Sequence, residues 1–393
     1  MGGNLAVALG GTLFTIIVAR SLSPDKFGIF SAIFALATLF GSLSDLGISS
    51  ALVNFIPKVK GDRSSIISVT FWLQLVIALG LVLLALGFIP IRTDVLPGAT
   101  STHVFYLALL VIPLTFETFA LAILRAEKRF LYVSLIMSLD SWLKLLLTYL
   151  LLRSDLLDIS SVLLAAVAAS SLATAFGLAN ELKHISPIFP RPYVMKVFHF
   201  AKWIAIMRIF SVGISRIDII LLNAIGSSFQ AGVFAAASRI ALLFALLVSS
   251  LGSVVAPRFS AFTTKKQVKK YIVKLTFLTA IVAGVMLVTL QFAPLIVRVI
   301  FGEAYLSTIP IFRYLTVAMI PFLFATVTVN PIIYYFNQPN FIAKITIIQI
   351  IVIVILDTLL IPTYGAVAPT ISLGVSNLIV LSLTSWKLLK LLK

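Results

Sequence analysis

The sequence contains no cysteine and only three histidines. The absence of cysteine excludes disulfides and thiolate metal sites. The histidines, at positions 103, 184 and 199, are too scattered along the chain to suggest a shared metal ion. We therefore expect no metal centre, redox cofactor or other cofactor.

Acidic residues and long polar stretches are also scarce. The chain of 393 residues has 13 Asp and Glu against 30 Lys and Arg, and 61% of its residues are hydrophobic. This composition is typical of a polytopic membrane protein. The net charge of +17 is therefore attributed to Lys and Arg in the loops on one side of the membrane. No nucleic-acid partner is expected. Residues 2–19 lack the features of a cleaved signal and are predicted to be the first span.

Twelve apolar segments are each long enough to cross a hydrocarbon core of about 30 Å. No connecting loop exceeds about 20 residues, so no soluble domain is expected within the sequence. The predicted spans are 2–19, 27–48, 66–89, 104–124, 131–152, 159–181, 200–222, 231–255, 275–297, 309–334, 341–361 and 364–385.

The loop charges predict the orientation. With a cytoplasmic N-terminus, the inner loops hold 20 Lys and Arg and the outer loops hold 5. Because cytoplasmic loops are enriched in cations, we expect both termini on the cytoplasmic side of the cell (inner or plasma) membrane. The remaining five cations lie inside predicted helices: Lys144, Arg208, Arg216, Arg239 and Arg313.

The chain divides into two similar halves. Residues 184–197 are rich in proline, which predicts an extended cytoplasmic linker between six-helix bundles at 1–183 and 198–393. Three short matches at nearly one offset support a duplication: 23–32 with 227–236, 56–57 with 256–257, and 112–114 with 320–322. An even number of helices per half predicts a parallel repeat about an axis along the membrane normal.

Several short motifs carry a family resemblance. They are Ala19-Arg20-Ser21-Leu22-Ser23-Pro24-Asp25-Lys26-Phe27-Gly28, Asp45-Leu46-Gly47, Leu124-Arg125-Ala126 with Arg129-Phe130, Arg216-Ile217-Asp218 with Gly232 and Arg239, and Ile300-Phe301-Gly302-Glu303-Ala304-Tyr305. With these motifs the whole chain resembles Wzx-type polysaccharide flippases. That family is similar in fold to multidrug and toxic compound extrusion (MATE) exporters and to lipid II flippases.

The resemblance implies a V-shaped pair of six-helix bundles around a central cavity. It also implies transfer of a polyprenyl-pyrophosphate-linked oligosaccharide from the cytoplasmic to the outer leaflet by alternating access. Many members have fourteen helices and a short polar segment before the first. On this resemblance we expect a shortened start and the absence of the last helix pair.

The charges inside the seventh and eighth helices are candidates for substrate binding. If the seventh helix enters near Phe200, Arg208 lies about 12 Å and Arg216 about 24 Å along it, and Arg239 lies at intermediate depth on the eighth. Guanidinium groups bind phosphate through paired hydrogen bonds, so Arg208, Arg239 and Arg216 with Lys144 predict a cationic cavity. Ser211 and Ser215 extend the polar face of Arg208. The alternative is that each arginine pairs with a carboxylate, as Arg216 would with Asp218 or Asp357.

Three acidic residues are candidates for coupling transport to an ion. Glu117 lies deep in the fourth helix without a cation near it in sequence. Asp140 and Lys144 share a helix face at i,i+4, which predicts a structural pair or a switch. Asp218 is the third candidate, and the coupling ion, sodium or proton, is left open. The cluster Lys265, Lys266, Lys269 and Lys270 predicts a basic loop helix that anchors on anionic lipid or recruits substrate.

Other functions stay open at this point. A MATE-like multidrug or cation exporter should favour acidic residues in its cavity, and a lipid II-type flippase would share the anionic cargo. A membrane-embedded glycan enzyme would need acidic metal-binding loops or a long outer loop, which the sequence lacks. We expect a monomeric transporter that is not an enzyme, whose partners are membrane lipids and a lipid-linked oligosaccharide.

Overall fold

The structure is a computed structural model that describes residues 2–58, 63–179, 181–186, 191–214 and 216–393. The side chains of residues 2–5, 184, 191, 203, 206–214, 245–254, 256 and 257 lie outside the description. The described backbone forms helices and turns without strands. The predicted all-α fold is confirmed.

Twelve helices of the described chain have 20 residues or more. They are α1 Gly2–Ser21, α2 Pro24–Leu43, α3 Arg63–Gly87, α4 Ser101–Ala126, α5 Phe130–Arg153, α6 Ile159–Leu178, α7 Arg191–Ile214, α8 Ser228–Ala261, α9 Lys265–Thr289, α10 Thr308–Tyr334, α11 Pro339–Tyr364 and α12 Ala368–Leu392. Among the described residues, eight helical stretches are long and apolar enough to cross a membrane, and the last of them, Pro339–Leu392, comprises both α11 and α12. The chain is a multi-pass membrane protein.

Polar caps define where several helices begin. The Ser23 side chain accepts a hydrogen bond from the Lys26 amide, with Pro24 at the first helical position of α2. Reciprocal capping boxes start α4 at Thr100, α6 at Asp158 and α9 at Thr264. These caps satisfy amide groups that the first turn of a helix leaves without an intrahelical partner.

The structure corrects two predicted boundaries. Helix α7 begins at Arg191, so residues 191–197 are helical and not part of an extended linker; Pro192 sits in the first turn, where its missing N–H costs little. The predicted basic loop helix is continuous with the ninth span in α9. Here the Thr264 cap and the helix-forming lysines extend the helix beyond its apolar part.

The contacts divide the chain into two compact units, Met1–Arg216 and Ile217–Lys393. In the first unit α4 packs against α2, α3 and α6. Helix α7 also belongs to this unit and packs against the short helix Ile48–Phe55, where the rings of Phe200 and Phe55 are 5.3 Å apart. In the second unit α10 packs against α8, α9 and α12.

Candidate functional site

Two aspartates lie side by side in the interior of the second unit. Asp218 belongs to the short helix Ile217–Leu221, which packs against α11, and its carboxyl group neighbours that of Asp357 on α11. Asp357 is completely buried. Within the described structure, both Asp357 carboxylate oxygens and Oδ1 of Asp218 are buried without a hydrogen-bond partner. The Ser372 hydroxyl, which lies near Asp357, donates to the Ala368 carbonyl at 3.2 Å. We call Asp218 and Asp357 the carboxylate pair.

A buried amide lies one turn beyond Asp218. Residues Leu222–Gly226 form a π-helix, a rare geometry that occurs frequently at functional sites. Asn223 in this π-helix is fully buried, and neither its Oδ1 nor its Nδ2 has a partner among the described residues. This π-helix also packs against α11, which carries Asp357. The second unit thus concentrates several unsatisfied oxygen atoms in one region.

Such an arrangement favours the binding of a small cation. Two neighbouring carboxylates repel each other when both are ionised, and burial removes hydration that would otherwise stabilise their charges. A proton relieves both costs by neutralising one carboxylate. A hard monovalent metal ion does so by binding carboxylate and amide oxygens, which are the ligands that hard cations prefer. Groups of three or more His, Cys, Asp or Glu are not found in the described residues, so the donor set carries less charge than a typical divalent site.

The neighbouring Gln230 fixes the turn between α11 and α12 against the start of α8. A Cβ atom built on Gly226 would lie 2.5 Å from Oε1 of Gln230, and one built on Gly365 would lie 2.5 Å from its Nε2. Gly365 also has φ of +54°, which favours glycine. The Gln230 amide therefore packs closely against both glycines, and the positive φ of Gly365 is the feature that requires glycine there.

The charged residues of the first unit are compensated differently. Lys144 Nζ lies 2.6 Å from Asp140 Oδ2, so the ion pair that the i,i+4 spacing predicts is present. The Ser170 hydroxyl donates to the other Asp140 oxygen at 2.7 Å, and Lys144 Nζ lies 5.9 Å from the centre of the Phe34 ring. Glu117 on α4 is buried and near both charges, but no hydrogen bond or ion pair from a described residue reaches it. The Glu117 carboxyl group therefore lies beside an ion pair that is already complete.

The structure describes only part of the predicted cationic surface. Arg239 is half-buried on α8, and Arg216 is half-buried directly after the end of α7. The side chains of Arg208 and Ser211, and the whole of Ser215, lie outside the described residues. The role of these five residues and of Lys144 in substrate binding stays a prediction.

Sequence reasoning missed two members of the site in the second unit. Asn223 is not among the predicted site residues, and Asp357 is predicted only as a possible partner of Arg216. A signal for Asp357 was present, because it is the only acidic residue in positions 304–393 and interrupts an apolar run. No comparable signal marks Asn223, since a single amide is common in membrane helices.

The sequence matches a known protein family over most of its length. Residues 17–310 match the family described as "Polysaccharide biosynthesis protein". The chain belongs to this family. A search of curated protein sequences finds no match.

Solved structures with the same fold come from transporters. The lipid II flippase MurJ in an inward closed conformation aligns with a TM-score of 0.80 at 16% identity, over 98% of this chain and 86% of that one. A MATE family multidrug transporter in an inward-facing conformation aligns with a TM-score of 0.78 at 16% identity, over 98% and 94%. The MATE transporter DinF-BH gives 0.70 at 16% identity, over 99% and 92%.

At such low identity these likenesses show the fold alone. The predicted MATE-like fold is confirmed, as is the resemblance to Wzx-type polysaccharide flippases. Family and fold together support a membrane transporter of the flippase type, and the named relatives are transporters or flippases, not enzymes.

Proposed function

We propose that this family member moves a polyprenyl-pyrophosphate-linked oligosaccharide from the cytoplasmic to the outer leaflet by alternating access. The choice of an anionic cargo rests on the family and on cations within the spans, since ten of the 13 Lys and Arg in residues 217–393 lie in predicted cytoplasmic loops, where they orient the chain. Arg239 adds a half-buried guanidinium group within the span α8. Guanidinium groups at such depth suit a pyrophosphate because they form paired, charge-assisted hydrogen bonds.

The proposal includes the cellular setting of the reaction. The protein acts as a monomer in the plasma membrane with both termini in the cytoplasm, as the excess of cations in alternate loops supports. It performs no covalent step: the glycan and its lipid leave the protein chemically unchanged. Only the leaflet that holds the pyrophosphate headgroup differs.

Transport of a large anion against its gradient needs a source of free energy, and we propose that a cation bound at the carboxylate pair supplies it. Binding neutralises the pair in one conformation, so a gradient of that cation shifts the populations of the inward and outward states. Sodium and the proton both fit the oxygen donors of Asp218, Asp357 and Asn223. A comparison of transport under separate sodium and proton gradients distinguishes them.

The cargo is tested in a flippase-deficient strain. Arg208→Ala and Arg239→Ala should each reduce surface polysaccharide at least tenfold and cause lipid-linked oligosaccharide to accumulate in the cytoplasmic leaflet. Arg298→Gln is the matched control, because Arg298 is exposed and pairs with Glu303 on the surface. Normal polysaccharide from both cavity variants at normal protein levels would exclude the cationic cavity.

The coupling site is tested with purified protein in vesicles. Asp357→Asn should abolish the dependence of transport on the cation gradient, whereas the control Glu303→Gln, which alters an exposed carboxylate, should leave it unchanged. Persistence of a normal gradient dependence in Asp357→Asn would contradict this assignment without affecting the choice of cargo.

A multidrug or cation exporter is the second candidate function. The carboxylate pair favours it, because two buried carboxylates can bind an organic cation as well as an inorganic one. The two functions predict different phenotypes: an exporter lowers the cellular accumulation of cationic dyes, and a glycan flippase restores surface polysaccharide. A lipid II-type flippase shares the pyrophosphate chemistry and is separated from the main proposal by complementation of a strain that lacks its lipid II flippase.

A further inference from the structure

One face of the lysine-rich end of α9 forms a groove with the end of α8. Its members follow each other at helical spacing: Lys270, Tyr271, Lys274, Phe277, Leu278 and Ile281. The main part of the groove has a volume of about 380 Å³ and is completed by Val255 and Arg258 of α8. A second hollow of about 390 Å³, lined by Phe262 and Lys270, shares Tyr271 and Lys274 with it. The two form one continuous surface, which we call the α8–α9 groove.

The groove changes character along its length. At one end Arg258, Lys270 and Lys274 surround Tyr271, and the Arg258 guanidinium lies 5.8 Å from the centre of the tyrosine ring. About 10 Å further along α9 the lining is apolar. There the side chains of Phe277, Leu278 and Ile281 are 70%, 45% and 50% exposed. A cationic head and an apolar tail region thus lie in line along a single helix face.

The cations of this groove have no acidic side chain near them in sequence. Residues 219–302, which include all of α8 and α9, contain neither Asp nor Glu. The elements packed beside the groove, α10 and α12, also lack acidic residues. The positive charge is therefore left for a ligand to neutralise, and the density of lysines assigns this end of α9 to the cytoplasmic side.

We propose that the α8–α9 groove is a binding site for one anionic phospholipid of the cytoplasmic leaflet. Its phosphate contacts Arg258 and Lys274 beside Tyr271, and an acyl chain lies along Phe277, Leu278 and Ile281. A planar guanidinium group next to an ammonium group suits a phosphodiester, and basic pockets between membrane helices on the cytoplasmic side bind anionic headgroups. The apolar lining beyond the cationic end favours a lipid over a soluble phosphate, because a soluble phosphate has no acyl chain to contact it. This inference is independent of the transported cargo.

Native mass spectrometry of the full chain in detergent, with defined added lipid, tests the site. Phosphatidylglycerol should bind at one tight site per chain and phosphatidylcholine should not. The double variant Arg258→Gln/Lys274→Gln should weaken phosphatidylglycerol binding about 25-fold, because each cation near a membrane surface contributes about fivefold. The matched control Lys265→Gln/Lys266→Gln removes two exposed charges from the same helix end outside the groove, and should change binding less than about twofold.

Three results would overturn the proposal. Equal weakening in both double variants would mean diffuse attraction to the basic end of the protein. Equal binding of phosphatidylcholine would show that the net charge of the lipid headgroup does not determine binding. Displacement of phosphatidylglycerol by equimolar inorganic pyrophosphate would show that the site binds a soluble ligand. If the glutamine variant fails to fold, Leu278→Ser decides instead: it keeps every charge and must weaken phosphatidylglycerol binding while the unfolding temperature is unchanged.

Discussion

Removal of Lys144 should strongly destabilise the first unit. The Lys144 and Asp140 side chains are only 9% and 13% exposed, and their ion pair is 2.6 Å long. In Lys144→Met the Asp140 carboxylate keeps its hydrogen bond from Ser170 but loses its counter-charge. Breaking a buried pair by removing one partner costs about 3–5 kcal/mol, because an uncompensated charge remains. We expect a loss of stability in this range.

A double substitution should recover most of that loss. Asp140→Asn/Lys144→Met removes both charges and retains an amide that can accept the Ser170 hydrogen bond. Replacement of a buried ion pair by neutral groups is often close to neutral, so the double variant should lie within about 1 kcal/mol of the wild type. The single and double variants should thus differ in stability by at least about 2 kcal/mol.

The measurement is unfolding of the purified protein in detergent, followed by circular dichroism and by tryptophan fluorescence. The reasoning is refuted if Lys144→Met costs less than about 1 kcal/mol, or if the double variant is as unstable as the single one.

Two further predictions concern turns and caps. Gly47 has φ of +82°, and a Cβ atom there would lie 2.9 Å from Ile204 Cβ. Gly47→Ala should therefore lower the free energy of unfolding by about 1–2 kcal/mol, measured by thermal unfolding. Gly284, which has open space around it, provides the control: Gly284→Ala should not destabilise the protein. Burial raises the pKa of Asp158, but hydrogen bonds from Ser161 and Ser160 together with the nearby His103 lower it below the ordinary 3.8. Asp158→Ala should therefore cost about 1 kcal/mol at neutral pH. Because a carboxylate with a lowered pKa stabilises only while ionised, this difference should persist above pH 3.8 and disappear as the pH falls through the lower folded-state pKa. A cost that stays constant in acid would contradict it.

The number of helices followed from the sequence because each apolar run is bounded by charged or turn-forming residues. Boundaries failed where a helix extends past its apolar part. Thus α9 begins at Lys265, ten residues before the predicted span, and polar residues there are compatible with a helix that leaves the membrane. Hydropathy reports which residues prefer lipid, whereas caps such as Thr264 decide where the backbone becomes helical.

Several motifs that carry the family resemblance stabilise turns in this structure. Asp45 Oδ1 accepts a hydrogen bond from the Ser49 amide at 2.8 Å, in the first turn of the short helix Ile48–Phe55. The Arg129 guanidinium lies 4.4 Å from the centre of the Tyr132 ring and 3.5 Å from Glu127. These contacts explain why such motifs identify a fold without indicating its cargo.

The site in the second unit was only partly predictable for a related reason. Asp218 was a candidate because it is a charge inside a predicted span, but its neighbour Asp357 lies four long helices further along the chain. Periodicity within one helix can pair Asp140 with Lys144, and it carries no information about which helices pack together. The π-helix that holds Asn223 has no sequence signature at all, since it depends on one inserted residue in the helical hydrogen-bond pattern.

The two units differ in charge compensation, which predicts where coupling takes place. Asp140 is neutralised by Lys144 and bonded to Ser170, so Asp140→Asn/Lys144→Met should transport with an unchanged dependence on the cation gradient. The carboxylate pair has no such compensation among the described residues, so Asp357→Asn should lose that dependence while it still binds cargo. Vesicle transport under matched sodium and proton gradients measures both variants. If the first-unit variant loses the gradient dependence and Asp357→Asn keeps it, Glu117 and its neighbours couple transport, and the assignment to the second unit is wrong.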